Sequence, residues 1–298
     1  MNLKGIRPIT QLGQSNPIYS DGRPCFAPDG KTVLFERSII NKMNAQLFSV
    51  PIDNTIKNGE SCYYYSDSYQ CLRADWSWSS SQPNAIAFTA IANGTSTVML
   101  LKPGGTPDSA KAITTPGFKD AILSYPAWFA NGKSLLLTNY SKYELLKYEL
   151  STNDIWTLTP ELFMSGMGTV SPTNSNLVAF AGQPRKLTYD QNINQIWIQD
   201  GFNDPELFSS DEKGAIGRAP WFSPDGTVMA FEAKGDNGMM QIFLKRITIP
   251  YQSTDAVQVS TAKMYAQHAK FSPDGKTLVW AQQTSENCSQ IFCGTIEY

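Results

Sequence analysis

The sequence predicts an all-β fold, a six-bladed β-propeller of four-stranded antiparallel blades. Three observations carry that expectation. First, a turn string recurs: Phe271-Ser272-Pro273-Asp274-Gly275, Phe222-Ser223-Pro224-Asp225-Gly226 and Phe26-Ala27-Pro28-Asp29-Gly30, each followed by an apolar strand. Proline presets φ, aspartate bonds its own backbone, and glycine takes the positive φ needed to re-enter a strand. Second, weaker copies fill the gaps, so that anchors fall at Phe26, Trp78, Trp128, Val170, Phe222 and Phe271, at intervals of 52, 50, 42, 52 and 49 residues. A period of that length made only of strands is the mark of propeller blades. Third, the last repeat lacks an outer strand, and a lone strand stands at the start of the chain.

The elements follow in order. Residues 6–12, Ile-Arg-Pro-Ile-Thr-Gln-Leu, have no hairpin partner ahead of them and are expected to complete the C-terminal blade. Such closure removes the open edges of an arc of sheets. Each blade then has an inner strand reaching its anchor, a second strand after the turn, a third and an outer one. The third strands read Gln46-Leu47-Phe48, Val98-Met99-Leu100, Leu145-Leu146-Lys147, Gln195-Ile196-Trp197, Gln241-Ile242-Phe243 and Gln290-Ile291-Phe292. Outer strands are expected at Tyr63–Tyr65, Ala112–Thr114, Ile155–Thr159, Glu206–Phe208 and Val257–Val259. Pro24, Pro126 and Pro220 stand two residues before their anchors, a position that suits a strand bordering the channel, where one edge is unpaired. The anchor aromatics read as core residues. The whole chain, 1–298, is expected to be a single domain.

Composition agrees and excludes several classes. Hydrophobic residues make up 41 % of the chain, enough to fill the spaces between blades, and charged residues 17 %, so the surface is rich in uncharged polar groups. A formal net charge of −2 without clustered Lys or Arg gives no electrostatic footprint for nucleic acid. No stretch is long and apolar enough to span a bilayer as a helix. The amino terminus has no apolar signal core; the expected location is the periplasm or the exterior if a signal has been removed, and the alternative is the cytoplasm. Of the five cysteines, Cys62 and Cys71 flank a loop and could close it. Cys288 and Cys293 lie on one extended segment, too far apart to pair. Cys25 reads as a small buried hydrophobe.

The pattern Pro-x-aromatic-Ser-Pro-Asp-Gly-Lys, an apolar strand, then Gln-Ile-aromatic and a closing strand, resembles the propeller repeat of the TolB family, from about residue 6 to 298. Related repeats occur in prolyl-oligopeptidase-like and tricorn-like propellers and in oligogalacturonate lyase. TolB itself carries a smaller α/β domain before its propeller, with no counterpart in this sequence. The repeat specifies fold far more strongly than function. A peptidase triad needs a histidine beside its nucleophile, and the one histidine is His268, with no Gly-x-Ser-x-Gly elbow anywhere. The lyase resemblance implies a metal held largely by histidines, which one histidine cannot supply. Asp236-Asn237 and Asp190-Gln191-Asn192 are oxygen-rich but read as turns rather than calcium loops. No catalytic residue, metal or cofactor is expected.

The remaining constellation lies in the loops entering the inner strands, where a rigid scaffold positions functional groups. Asp21 and Arg23, Arg73 and Asp75, Tyr125, Arg218, and Gln267 and His268 precede the anchors. Converging guanidinium groups favour a carboxylate-bearing ligand, which Arg grips in two-pronged fashion. Alternatively, each arginine pairs with Asp21, Asp75 or a carbonyl and merely holds the blades. The functional expectation is a monomeric, non-enzymatic binding or scaffold propeller that engages a protein segment or small ligand at the channel mouth. The competing expectation is a carbohydrate-active lyase or hydrolase acting on a saccharide or acidic polymer in the channel.

Overall fold

A computed structural model describes residues 1–11, 19–40, 42, 44–54, 59–102, 109–118, 121–186, 188–209, 216–252 and 255–298. Six four-stranded antiparallel sheets form the ring. Blade 1 is built from β2 (Tyr19–Phe26), β3 (Thr32–Ile39), β4 (Gln46–Pro51) and β5 (Ser61–Tyr64), after the N-terminal strand β1 (Asn2–Pro8). Blade 2 contains β6 (Gln70–Trp76), β7 (Ile86–Ala92), β8 (Thr95–Leu101) and β9 (Lys111–Ala112). Blade 3 comprises β10 (Leu123–Trp128), β11 (Ser134–Asn139), β12 (Glu144–Glu149) and β13 (Ile155–Thr157). In blade 4, β14 (Phe163–Val170), β15 (Leu177–Pro184), β16 (Gln195–Asp200) and β17 (Glu206–Leu207) are joined by a 3₁₀ turn at Gln191–Ile193, capped by Asp190. Blade 5 is β18 (Gly217–Phe222), β19 (Val228–Lys234), β20 (Met240–Arg246) and β21 (Val257–Gln258). Blade 6 joins β22 (Ala266–Phe271), β23 (Thr277–Ser285) and β24 (Cys288–Glu297) to β1 as its outer strand.

The closing strand joins blade 6 as expected but spans Asn2–Pro8 rather than 6–12, residue 12 lying outside the described residues. Asn2, Leu3 and Lys4 pair with Glu297, Ile296 and Thr295, and Arg7 and Pro8 with Cys293 and Phe292. Leu3 and Ile9 are buried, and they tie this strand to the cores on either side of the seam. Alternating apolar residues of neighbouring blades fill the spaces between sheets, as around Phe26, Phe35 and Val279 between blades 1 and 6. The Ser-Pro-Asp-Gly turns form as expected. Ser272 Oγ donates to Asp274 Oδ1 at 2.5 Å, Asp274 Oδ1 accepts from the Lys276 amide at 3.0 Å, and Gly275 sits at φ +71°.

Two expectations change. The blade 2 anchor is Trp76, not Trp78: Trp76 ends β6 opposite Ile86 just as Phe26 ends β2 opposite Val33. Trp78 lies beyond the strand, 37 % exposed, and its Nε1 donates to the Phe26 carbonyl at 3.0 Å. The Trp-x-Trp spacing offers two aromatic candidates on one face, and the strand ends at the first, leaving the second beyond the ladder. Cys62 and Cys71 do not pair; all five cysteines are free, Cys62 exposed on β5 and Cys71 buried on β6.

Candidate functional site

Each innermost strand breaks its pairing with the second strand at the same place: between Gly22 and Cys25, Leu72 and Asp75, Ser124 and Ala127, Gly166 and Thr169, Arg218 and Trp221, and Gln267 and Lys270. The first residue skipped is left-handed in all six blades: Arg23, Arg73, Tyr125, Met167, Ala219 and His268 have φ between +42° and +57°. None is glycine, so each carries the strain of a Cβ in that region. Such bulges re-aim a side chain, and these six residues line one cavity of about 60 Å³ on the axis. The next residue is proline in three blades, Pro24, Pro126 and Pro220. The bulge leaves it outside the ladder, so its missing N–H costs no pairing.

At three of the bulges the freed backbone N–H is taken up by the preceding blade. Glu36 Oε2 accepts from the Arg73 amide at 2.9 Å, Thr89 Oγ1 from the Tyr125 amide at 3.2 Å, and Glu232 Oε1 from the His268 amide at 2.8 Å. Glu36, Thr89 and Glu232 occupy equivalent positions in their second strands, each after the repeat's phenylalanine (Phe35, Phe88 and Phe231). Glu36 also pairs with the Arg23 guanidinium. Gly22 makes room for it: a Cβ there would lie 3.1 Å from Glu36 Oε1.

The Arg73 guanidinium lies over the Tyr125 ring, 4.5 Å from its centre, and Nη1 donates to Ser124 Oγ at 2.5 Å. From Tyr125 a row of half-buried tyrosine rings runs outward: Tyr140 at 6.1 Å, Tyr143 at a further 6.0 Å, and Tyr189 stacked on Tyr143 at 4.2 Å. His268 Nε2 stands 3.8 Å from Glu232 Oε1. Burial, followed by the charges of Arg23, Arg218 and Arg73, holds the His268 imidazole well below its ordinary range, so it is neutral at pH 7. Burial pushes the Glu232 carboxyl up, opposed by the His268 amide and by Arg218 and Arg23.

Two residues past the bulges the channel is blocked. Lys270 Nζ bonds Asp75 Oδ1 at 3.0 Å and sits 3.7 Å from the centre of the Trp221 ring. Asp75 Oδ2 also accepts from the Trp128 amide at 2.9 Å. Below this partition lies a second cavity of about 170 Å³, walled by Trp76, Trp78, Trp128, Trp221 and Phe129.

Of the residues singled out from sequence, Arg23, Arg73, Tyr125 and His268 therefore stand in one ring. Arg218 and Gln267 lie one position earlier in their strands, beside Glu232. Asp75 belongs to the partition. Asp21 lies apart, buried and gripped by Arg37 through Nε at 2.7 Å and Nη2 at 2.8 Å. Sequence reading missed Glu36, Glu232, Trp221, Lys270 and the tyrosine row. The repeated Phe-Glu at 35–36 and 231–232 is the signal that points to the two glutamates.

No protein-family model and no curated protein sequence matches the chain. Solved structures do. The putative TolB from Agrobacterium tumefaciens is 14 % identical with a TM-score of 0.62, covering 98 % of this chain and 97 % of its own. An oligogalacturonate lyase in complex with manganese is 10 % identical at 0.60, with 100 % and 97 % covered. TolB from Acinetobacter baumannii is 15 % identical at 0.55, and the match spans 92 % of this chain but 54 % of that one. Identities this low speak for architecture alone. Among the described residues no helix is long and apolar enough to cross a membrane. The chain thus has the six-bladed propeller fold of TolB-like proteins.

Proposed function

We propose that this chain is a non-catalytic binding propeller whose axial cavity receives a small molecule or the end of a protein segment. The observation that carries this reading is the ring of six left-handed, non-glycine residues. Backbone strain of about 1–2 kcal/mol each persists only where surrounding structure enforces it, and such outliers gather at ligand clamps. Here the strain delivers Arg23, Arg73, Tyr125 and His268 to one walled space, supported from behind by Glu36, Thr89 and Glu232. The likeness to structures named TolB fits a partner-binding role, and a location outside the cytoplasm goes with it; fractionation of the native host checks the latter.

The cavity contains its own reporter. Among the described residues Met167 is the one methionine in its wall. In protein labelled with ¹³C at the methionine methyl groups, a ligand mixture screened by NMR should yield binders that move the Met167 signal, assigned with Met167→Leu. Binders that move other methionines but never Met167 would place recognition elsewhere.

One observation favours the enzymatic alternative. His268 stands in the cavity wall among arginines that would hold a substrate carboxylate beside it, and the lyase shares the fold. Turnover of an acidic oligosaccharide, abolished in His268→Asn, would establish it.

A further inference from the structure

The cavity's charge and its closed floor together restrict what it takes. Arg23, Arg73 and Arg218 bring three positive charges to the neighbourhood of His268. Glu36 and Glu232 bring two negative charges, while Lys270 and Asp75 cancel each other at the floor. Among the described residues neither Arg73 nor Arg218 has a carboxylate within ion-pairing distance, and the buried Nε atoms of Arg23, Arg73 and Arg218 have no acceptor. A half-buried guanidinium with an unanswered charge and unused donors is costly unless an anion meets it. Even with both glutamates charged, one positive charge is left over, so the complement is an anion. Guanidinium edges match a planar two-oxygen acceptor.

The floor decides how such a group arrives. Trp221 and the Lys270–Asp75 bridge close the axis directly below the ring, so the cavity receives the end of a ligand rather than a chain passing through. A segment threaded through the channel would have to displace all three side chains. On the opposite side of the ring from this floor, Tyr125 and Tyr140 stand beside Arg73.

We infer that the cavity binds one terminal carboxylate, entering end-on from the tyrosine side, held by Arg73 and Arg23 with Arg218 supplying charge from behind. This rests on the binding reading above. The carboxylate is that of a small free acid or of a polypeptide carboxyl terminus.

The test uses the full chain with labelled methionines and four probes: propionate, propionamide, a tri-alanine with free carboxyl and its carboxamide. The acids are expected to move the Met167 methyl saturably and the amides to need at least tenfold higher concentration. The tighter of the two acids identifies the source. Arg73→Gln should weaken the acids about tenfold or more, with Arg73→Lys intermediate, and Lys111→Gln, exposed on the outer strand β9, should leave them unchanged. Because Arg73→Gln could fail to fold, Arg73→Lys is the second variant; if both arginine variants bind the acids as tightly as the parent, the assignment is wrong. Equal binding of acids and amides overturns the carboxylate while leaving a binding cavity. If the probes leave Met167 still but other ligands move it, the carboxylate assignment falls alone. If nothing moves Met167, it falls together with the binding reading.

Discussion

At the scale of single residues, conformation and ionisation are set by what lies within a few ångströms. Gly275 illustrates the first. At φ +71° a Cβ would meet Pro224 Cδ at 3.7 Å, an ordinary contact, so any cost of substitution is conformational rather than steric. Gly275→Val should destabilise by about 1–2 kcal/mol, read as a lower urea midpoint with unchanged slope. A neutral result would mean the turn re-forms without the left-handed residue. His268 illustrates the second. The folded protein keeps it neutral well below 6.5, whereas the unfolded chain protonates it at about that pH. The unfolded state therefore binds more protons below pH 6.5. Stability is lost progressively as pH falls from 6.5 toward the folded pKa, by up to about 1.4 kcal/mol per pH unit. His268→Asn should flatten that limb between pH 6.5 and 5, and an unaltered slope would show that His268 does not carry it.

At the scale of elements, the inner strand is two short ladders with a bulge between them, and the bulge depends on the blade before it. Thr89 shows this dependence without lining the cavity: its hydroxyl accepts from the Tyr125 amide and lies 3.2 Å from Ser124 Oγ. Thr89→Val preserves shape but leaves that amide without its acceptor, a loss of about 1–3 kcal/mol. Because Tyr125 supports Arg73, the same variant should also weaken any ligand moving Met167; thermal melts and the NMR titration separate the two effects. Placing the second anchor at Trp78 obscured the equivalence of the inner strands. With Trp76 as anchor, Arg23, Arg73, Tyr125 and His268 all stand three residues before the strand end. Arg218 stands one position earlier, which is why it lies behind the ring.

At the scale of the whole molecule, the ring is held shut by β1. Its removal exposes the edge of β24 and uncovers Leu3 and Ile9 positions in two separate cores. Each fully buried side chain of this size is worth about 1.5–3 kcal/mol, so deleting residues 1–10 should cost at least about 3 kcal/mol. For a chain of this length that corresponds to a fall in melting temperature of about 5 °C or more. An unchanged melting temperature would mean that the ring closes without this strand. Closure also matters for the site. The six bulges point at one axis only while the ring is complete, so the truncated protein should lose ligand response at Met167 along with stability.

The blade count, the strand order, the closing strand and four of the six ring residues were legible in the sequence because they follow from short-range rules. Turn chemistry repeats, strand alternation selects a face, and a missing outer strand demands a partner. Asp21 and Asp75 were less legible, because a carboxylate near an arginine in sequence says nothing about which arginine or lysine it meets. Asp21 turned to Arg37 across its own hairpin, and Asp75 to Lys270 from blade 6. The tyrosine row and the Trp221 partition likewise join residues from different blades. Local sequence determined the blades, their turns and the closing strand, whereas the left-handed bulges, built on residues other than glycine, are held by neighbouring blades. Tertiary structure alone decided which charges meet at the axis, since that depends on six strands distant in sequence converging around one centre.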